Sequence, residues 1–417
     1  MKNIYSFLFI LFMSIQLQAD PVRDTVSMGA GYANDVFYSL DSGIVKIETR
    51  ANWEIAFYTN RWSAGIQMND GGGVKLFTYP LGDKNAWNNV DVSQIDEWTP
   101  MVNSDTVWED GAFNRHALGH PDYGWGVYNT INHSVNGDSL FIVKLANGSL
   151  KKLFIESKNS VTNTYFFKYA DIDGSNEKSE VLDITPYMDN RMFLYYSLSL
   201  GMAIDREPDI NSWDLVFSRY SAIVYDNNNQ PSDYVVVGIA SNNGVGVAKH
   251  HPVEVGFADW MAKPFEEYRT PIGHEWKEFS MSQFAWTVED SLVYFIKNRN
   301  GNIYKFFPEF FSGQATGSTA FVKELLSFSG LLDSHQRDNA LVVSPNPTSG
   351  LLRLGVNDDV VSTAEVVFYD LAGKRVHSAL VNDRFASVDL RHLHDGLYIA
   401  EMRINGRLLL AKVMLQH

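Results

Sequence analysis

Apolar and polar residues alternate in short runs along most of this 417-residue chain, and helical periodicity is scarce. A period of two places successive side chains on opposite faces of a strand, so each run predicts a strand that buries one face. Gly, Pro, Asn and Asp residues separate the runs and predict the turns between strands. The pattern therefore predicts an all-β protein, with two tandem antiparallel β-domains followed by a smaller β-sandwich.

The pattern between residues 35 and 330 occurs twice, which indicates a tandem repeat. The tripeptide YSL at 38–40 returns at 196–198, and WxIxF at 53–57 returns as WxLxF at 213–217. A buried aromatic side chain contributes roughly 2–3 kcal/mol to stability. We interpret Trp53 and Trp213 as core residues of two separate domains, so replacing either by Ala should unfold its own domain.

Each copy also carries an Asn-Gly pair between two strand-like runs, at 147–148 and at 300–301. Asn and Gly adopt positive φ readily, as the two-residue type I′ turn requires, and the turn fixes the register of the flanking strands. In the first copy this turn would place Val143 and Leu150 on one face of the hairpin and Lys144 on the other.

The last eighty or so residues contain turn and strand motifs in a distinctive order. These motifs are Pro345-Asn346-Pro347 with Gly350, Tyr369-Asp370 with Gly373-Lys374, Val388-Asp389-Leu390, Gly396-Leu397-Tyr398 and Lys412-Val413. Their order resembles the C-terminal sorting domain of the bacterial type IX secretion system. The resemblance implies a β-sandwich that binds the type IX secretion machinery, and a protein that is secreted or attached to the outer cell surface.

Residues 1–19 have the composition of a secretory signal peptide. Lys2 precedes an apolar run of about a dozen residues, and Ala19 offers a small residue for cleavage. That run is too short for a membrane helix, and we expect no transmembrane segment later in the chain. The predicted division is a signal peptide at 1–19, the two copies at 20–187 and 188–330, a linker at 331–339 and the sorting domain at 340–417.

The composition narrows the possible partners. The net charge is −15 at pH 7, and an acidic surface repels phosphate backbones, so we expect no nucleic-acid binding. The chain contains no Cys, which excludes disulfides and a lipid-anchored cysteine.

The ordered elements of the two copies resemble the HmuY family of Bacteroidetes. The shared elements are the YSL opening, the strand WDLVF at 213–217, the glycine-rich segment and the strands around Asn-Gly; the first copy departs with Glu54 and Ala56. The resemblance implies an all-β, haemophore-like protein that binds haem for iron acquisition, with haem or haem-carrying host proteins as partners. Typical members are lipoproteins, whereas this chain has no cysteine and carries a sorting domain.

Haem iron is held by His or Met in proteins of this kind. The candidate axial ligands are His116, His120, His133, His250 and His274. The first two lie in a Gly/Pro-rich loop, and loops on rigid sheets often carry function. His250 and His251 are neighbours on a predicted strand end, so only one of them can point into a pocket. We expect no metal other than haem iron.

Two further motifs resemble sites but lack the context that those sites need. The segment GDSL at 137–140 matches a serine esterase motif, yet polar residues precede it where a buried strand is required. The segment 171–177 alternates carboxylates like a calcium loop, without the full twelve-residue pattern. We therefore expect no enzyme. The alternative to haem binding is a non-enzymatic surface binding or adhesion protein with no haem role.

Overall fold

The computed structural model describes residues 21–226, 228–327, 341–356, 364–371, 373–382, 385–404 and 407–417. The expected signal peptide and most of the sequence around the expected linker lie outside the described residues. About 49% of the described residues are in strands, and every helix within the described ranges is a 3-10 turn of three to five residues. The all-β prediction is confirmed. The 3-10 turns are Ala30–Tyr32, Arg50–Asn52, Asp70–Gly72, Lys84–Asn88, Ile95–Glu97, Ala112–Asn114, Thr185–Tyr187 and Gly313–Ala315.

The described strands fall into three successive groups along the chain. The first group is β1 (Val22–Ser27), β2 (Asn34–Ser39), β3 (Gly43–Thr49), β4 (Ile55–Tyr58), β5 (Ile66–Met68), β6 (Lys75–Thr78), β7 (Gly126–Asn129), β8 (Ser134–Gly137), β9 (Phe141–Lys144), β10 (Leu150–Asn159) and β11 (Thr164–Asp171). The second group is β12 (Lys178–Asp183), β13 (Phe193–Ser197), β14 (Met202–Ile204), β15 (Leu215–Tyr225), β16 (Pro231–Ser241), β17 (Gly246–His250), β18 (Lys277–Ser280), β19 (Ala285–Val288), β20 (Val293–Lys297), β21 (Ile303–Phe311) and β22 (Ser318–Ser327). The third group is β23 (Leu341–Ser344), β24 (Leu351–Val356), β25 (Ala364–Tyr369), β26 (Arg375–Val381), β27 (Phe385–Asp389), β28 (Gly396–Ile404) and β29 (Arg407–Leu415).

The first two groups build two sandwiches. In the first sandwich, the sheet β14-β13-β4-β5 faces a larger sheet in which β12, β11, β10, β9 and β6 are successive neighbours. In the second sandwich, the sheet β3-β2-β15-β16 faces the sheet β1-β22-β21-β20-β17. Adding eleven to a strand number of the first group gives its counterpart in the second, so the pairing order is the same in both sandwiches.

The second strand of each of these two groups pairs with a strand of the other group. Strand β2 pairs with β15, and β13 pairs with β4. Tyr38 on β2 therefore packs against Phe321 on β22, and Tyr196 on β13 packs against Phe167 on β11. The first sandwich is contiguous from β4 to β14, while the second is closed by the N-terminal strands.

The repeated sequence motifs have a shared structural role. The carboxylate after each repeated Trp accepts a hydrogen bond from the Leu N–H of a YSL segment: Asp214 from Leu40 and Glu54 from Leu198, both at 2.7 Å. A buried backbone N–H needs such a partner, so YSL and the acidic residue are required together.

The tryptophans lie between the two sandwiches and not inside two separate cores. Trp53 and Trp213 belong to one cluster with Phe37 and Tyr195, on the outer faces of the sheets containing β2 and β4. The two interiors are instead built by Ile55 and its neighbours and by the corresponding residues of β15. The interpretation of each Trp as a core residue of its own domain is therefore wrong, because Trp53 and Trp213 precede the alternating strands and turn outward.

The Asn-Gly turns differ from the type I′ prediction. Leu145 pairs with Ser149, so the loop has the three residues 146–148, and of the Asn-Gly pair only Gly148 has a positive φ, at 87°. Lys144 consequently pairs with Leu150 and shares its face, which reverses the predicted register. One extra loop residue suffices for this change because side chains alternate with a period of two.

The third group forms a smaller sandwich. Its two sheets are β23-β24-β27 and β26-β25-β28-β29. Leu354, Phe368, Met402 and Val413 are among the buried residues of its core. The predicted C-terminal β-sandwich is present.

Candidate functional site

A cleft of about 170 Å³ lies on the first sandwich where the β4–β5 loop, the β7–β8 hairpin and the β10–β11 turn meet. We call it the aromatic cleft. Its lining residues are Trp62, Ser63, Ala64, His120, Tyr123, Tyr128, Val135 and Ser160. Trp62 is 69% exposed, which is unusual for so large an apolar side chain. Aromatic and hydroxyl groups therefore converge on one solvent-facing depression.

The loop that carries Trp62 is fixed from below. Lys158 is fully buried, and its Nζ donates hydrogen bonds to the carbonyls of Asn60 and Arg61, both at 2.9 Å, and to that of Ser63. Burial lowers the pKa of Lys158 to about 7 because the charged ammonium loses its hydration. Trp125 Nε1 donates to the Ala64 carbonyl at 2.8 Å. The loop is thus held at four carbonyls, two on either side of Trp62.

The structure brings two of the five candidate histidines together. The ring of His120 lies 5.4 Å from that of Tyr128, and Tyr128 Oη lies 2.7 Å from His133 Nδ1. Both histidines are exposed. His133 has a φ of 55°, which a non-glycine residue adopts infrequently, so its position at the β7–β8 turn is closely constrained. Tyr128 is the common neighbour of both imidazoles.

The other three histidines lie elsewhere. His116 is exposed, with Nδ1 3.5 Å from Thr78 Oγ1. His250 is buried between Phe257 and Phe295, and burial lowers its pKa. His274 is partly buried, and burial lowers its pKa as well. His250 and His251 do face differently, since His251 is exposed.

The aromatic cleft is too small to enclose a haem. A cleft of 170 Å³ is smaller than the roughly 300–1,000 Å³ of pockets that enclose a drug-sized ligand. Met68 and Met101 are buried in the first core. Within the described part of the chain, no three His, Cys, Asp or Glu side chains come together as a metal-binding group. A porphyrin could therefore contact this surface only with most of its own area in solvent.

In the esterase-like segment 137–140 and the calcium-loop-like segment 171–177, the key side chains form hydrogen bonds with other groups of the protein. Ser139 Oγ donates to Asp138 Oδ1 at 2.7 Å, within its own turn. Asp171 accepts from Lys151 Nζ at 2.7 Å and from Asn176 Nδ2 at 2.6 Å, and hydrogen bonding by Lys151 lowers the pKa of Asp171. Donors of the protein itself therefore occupy the carboxylate that calcium would need.

The sequence did not mark the central residues of the aromatic cleft. Trp62 and Tyr128 lie in short polar segments without a recognisable motif, and Lys158 is in a run that alternates like any other strand. Their association depends on three loops that are distant in sequence. Only the loop position of His120 provided a signal.

Comparison with known proteins characterises the C-terminal part. Residues 342–416 match the family model described as a secretion system C-terminal sorting domain. A type IX sorting domain directs its protein to secretion or to attachment at the outer surface, so the expected location is confirmed. Within the residues described, no helix has the length and apolar character needed to cross a membrane.

The family match covers only the C-terminal part of the chain. No curated protein matches the chain. Among solved structures, "Biofilm associated protein - BSP domain" aligns over 95% of this chain and 81% of its own, with 9% identity and a TM-score of 0.17. A TM-score this low carries no argument about fold or function. None of these findings supports the resemblance to the HmuY family.

Proposed function

We propose that this exported chain is a non-enzymatic binding protein of the cell surface, and that the aromatic cleft is its ligand site. The observation that carries the proposal is Trp62, a mostly exposed indole on a loop that Lys158 holds in place. Rigid aromatic side chains provide contact area with little loss of conformational entropy on binding. Delivery to the outer surface places this cleft in contact with external ligands.

The chemistry of the cleft favours a ligand with a flat apolar face and a hydroxylated edge, as in a sugar ring. Trp62, Tyr123 and Tyr128 contribute aromatic rings to the lining, and Ser63 and Ser160 can donate to or accept from hydroxyl groups. The size of the cleft suits one ring or the end of a longer chain. We therefore propose surface glycans as the ligand class, which corresponds to an adhesion role.

Haem is the second candidate ligand. His120 and His133 support it, because both imidazoles contact Tyr128. Imidazole is a common axial ligand of haem iron. The small cleft argues against enclosure, so any haem bound here would be weakly held at the surface. His116, His250 and His274 lie outside this arrangement.

The repeated pairing order supports a second element of the proposal, namely that residues 22–327 arose by duplication of an eleven-strand unit. The matched contacts of Asp214 and Glu54 support it at the level of single residues. The β4–β5 loop that carries Trp62 corresponds to the β15–β16 loop, whose sequence at 226–230, DNNNQ, contains no aromatic residue, so we assign the ligand site to the first sandwich.

The test is a glycan array probed with the purified protein and with Trp62→Ala. We expect binding by the wild type and at least a tenfold loss in the variant, since an aromatic anchor carries much of the energy of such a contact. Tyr234→Ala is the matched control, because Tyr234 is 64% exposed on β16 and does not line the cleft. Equal binding by Trp62→Ala and the wild type would refute the site.

A haemin titration separates the two ligand classes. A sharp, shifted Soret band that weakens in His120→Ala and His133→Ala, but not in His116→Ala, would favour haem. The absence of a band at micromolar haemin, together with glycan binding, would leave the adhesion role alone.

A further inference from the structure

A second, smaller cavity of about 50 Å³ lies between the two sandwiches. We call it the interface cavity. Its lining includes Trp53, Trp213, Arg206, Arg269 and Asp70. These side chains are buried, with exposures of 8%, 1%, 2%, 7% and 7%. A volume of this size is several times that needed for one water molecule.

The interface cavity is rich in hydrogen-bond donors without partners. Among the described residues, the indole Nε1 of Trp53 and Trp213 and the guanidinium Nε of Arg206 and Arg269 are buried without a hydrogen-bond partner. The unpartnered acceptor on the same lining is Asp70 Oδ2. A buried donor that stays unpaired destabilises the folded state, so this set calls for an acceptor inside the cavity.

The net charge of the lining also favours an anion as the occupant of the cavity. Arg50 and Arg206 both contact Asp35, at 2.6 and 2.9 Å, so one carboxylate neutralises only one of these two guanidinium groups. Arg269 is bound to a neutral acceptor, with Nη1 donating to the Ser104 carbonyl at 2.6 Å. The lining as a whole holds four guanidinium groups, those of Arg50, Arg206, Arg219 and Arg269, against three carboxyl groups, those of Asp35, Asp70 and Glu207. The lining therefore carries more positive than negative charge.

We propose that the interface cavity binds a small monovalent anion of halide type, which accepts hydrogen bonds from indole and guanidinium N–H groups and so joins the two sandwiches. Chloride is small enough for the volume, and it accepts without needing to donate in return. Water is the competing occupant, but each water also brings donors into a lining that already has more donors than acceptors.

The first test is thermal unfolding of the full purified chain in potassium chloride and in potassium gluconate at equal ionic strength. Gluconate is too large for the cavity, so the pair separates specific binding from charge screening. We expect the unfolding midpoint to rise with chloride and to saturate, and to stay lower in gluconate, because a ligand of the folded state raises stability by mass action. Identical curves in the two salts would overturn the proposal.

Conservative variants locate the site. Trp213→Phe and Trp53→Phe remove one indole donor each while keeping an aromatic ring, and we expect each to raise the half-saturating chloride concentration several-fold. Trp62→Phe is the matched control, and its chloride response should equal that of the wild type. If all three variants responded like the wild type, the anion would not lie in this cavity.

Diffraction from crystals grown in bromide gives a readout that does not depend on any variant. An anomalous peak within hydrogen-bond distance of Trp213 Nε1 or Arg206 Nε is expected. Density without anomalous signal at that place would identify ordered water only and would contradict the proposal.

Discussion

At the scale of single residues, Lys158 links the stability of the protein to pH. Its folded pKa of about 7 lies below the unfolded value of 10.5, so the unfolded chain binds more protons between these pH values. The contribution of Lys158 to stability therefore increases as the pH rises through this window. We expect the free energy of unfolding to rise about 1 kcal/mol per pH unit less steeply between pH 7.5 and 9.5 in Lys158→Met than in the wild type.

Denaturant unfolding at several pH values measures this slope. Lys75→Met, at an exposed position, is the control and should retain the slope of the wild type. A Lys158→Met protein with an unchanged slope would show that the Lys158 ammonium is well solvated in the folded state.

Asp214 gives a second prediction at this scale. It accepts from the buried N–H of Leu40, so Asp214→Ala should lower the free energy of unfolding by about 1–3 kcal/mol. Asp214→Asn keeps a carbonyl oxygen at the same place and should lose less than half as much. Chemical denaturation of both variants checks the order; equal losses would mean that packing, and not the hydrogen bond, explains the motif.

At the scale of elements, the pairing of β2 with β15 and of β13 with β4 predicts which fragments of the chain fold alone. Residues 50–205 contain the whole first sandwich from β4 to β14 and should give a cooperative unfolding transition alone. Residues 20–187 lack β13 and contain β2 without its partner β15, so this fragment should remain unfolded or aggregate. Circular dichroism and thermal melts of the two fragments provide the measurement. Cooperative folding of 20–187 and not of 50–205 would contradict the observed topology.

The sequence predicted much about the elements and less about their partners. Alternation at WxIxF and WxLxF identified strands, and the ordered motifs after residue 341 identified the sorting domain, because both signals are local. Alternation shows that a strand buries one face but not which strand lies beside it, so the exchange of β2 and β13 was not predictable. The register predicted at Lys144 was wrong because the loop has three residues and not two.

The candidate site was less predictable than the fold. His120 drew attention through its loop, but Trp62 and Tyr128 come from other loops and become neighbours only when the first sandwich forms. The five histidines were equivalent in the sequence, and the structure separates two that share Tyr128 from three that do not. Long-range proximity of this kind leaves no pattern in a single sequence.

At the scale of the whole molecule, Trp213 connects the stabilities of the two sandwiches. It packs in the cluster between them, beside Phe37 of the second sandwich and together with Trp53. Trp213→Ala should cost about 3–5 kcal/mol, as other large-to-small changes at buried aromatics do. Because that loss falls on the interface, we expect the thermal transition to broaden or split in two by calorimetry. A single sharp transition at the wild-type midpoint would show that the interface contributes little.

The pairing of β1 with β22 has a consequence for the order in which the chain can fold. A polypeptide is synthesised from its N-terminus, and domains generally fold as units in that order. All strands of the first sandwich have been synthesised once β14 is complete. The partner of β1 is β22, at 318–327, so β1 can pair only after those residues have been synthesised. The exported body can therefore close only at the end of synthesis, just before the sorting domain itself is made.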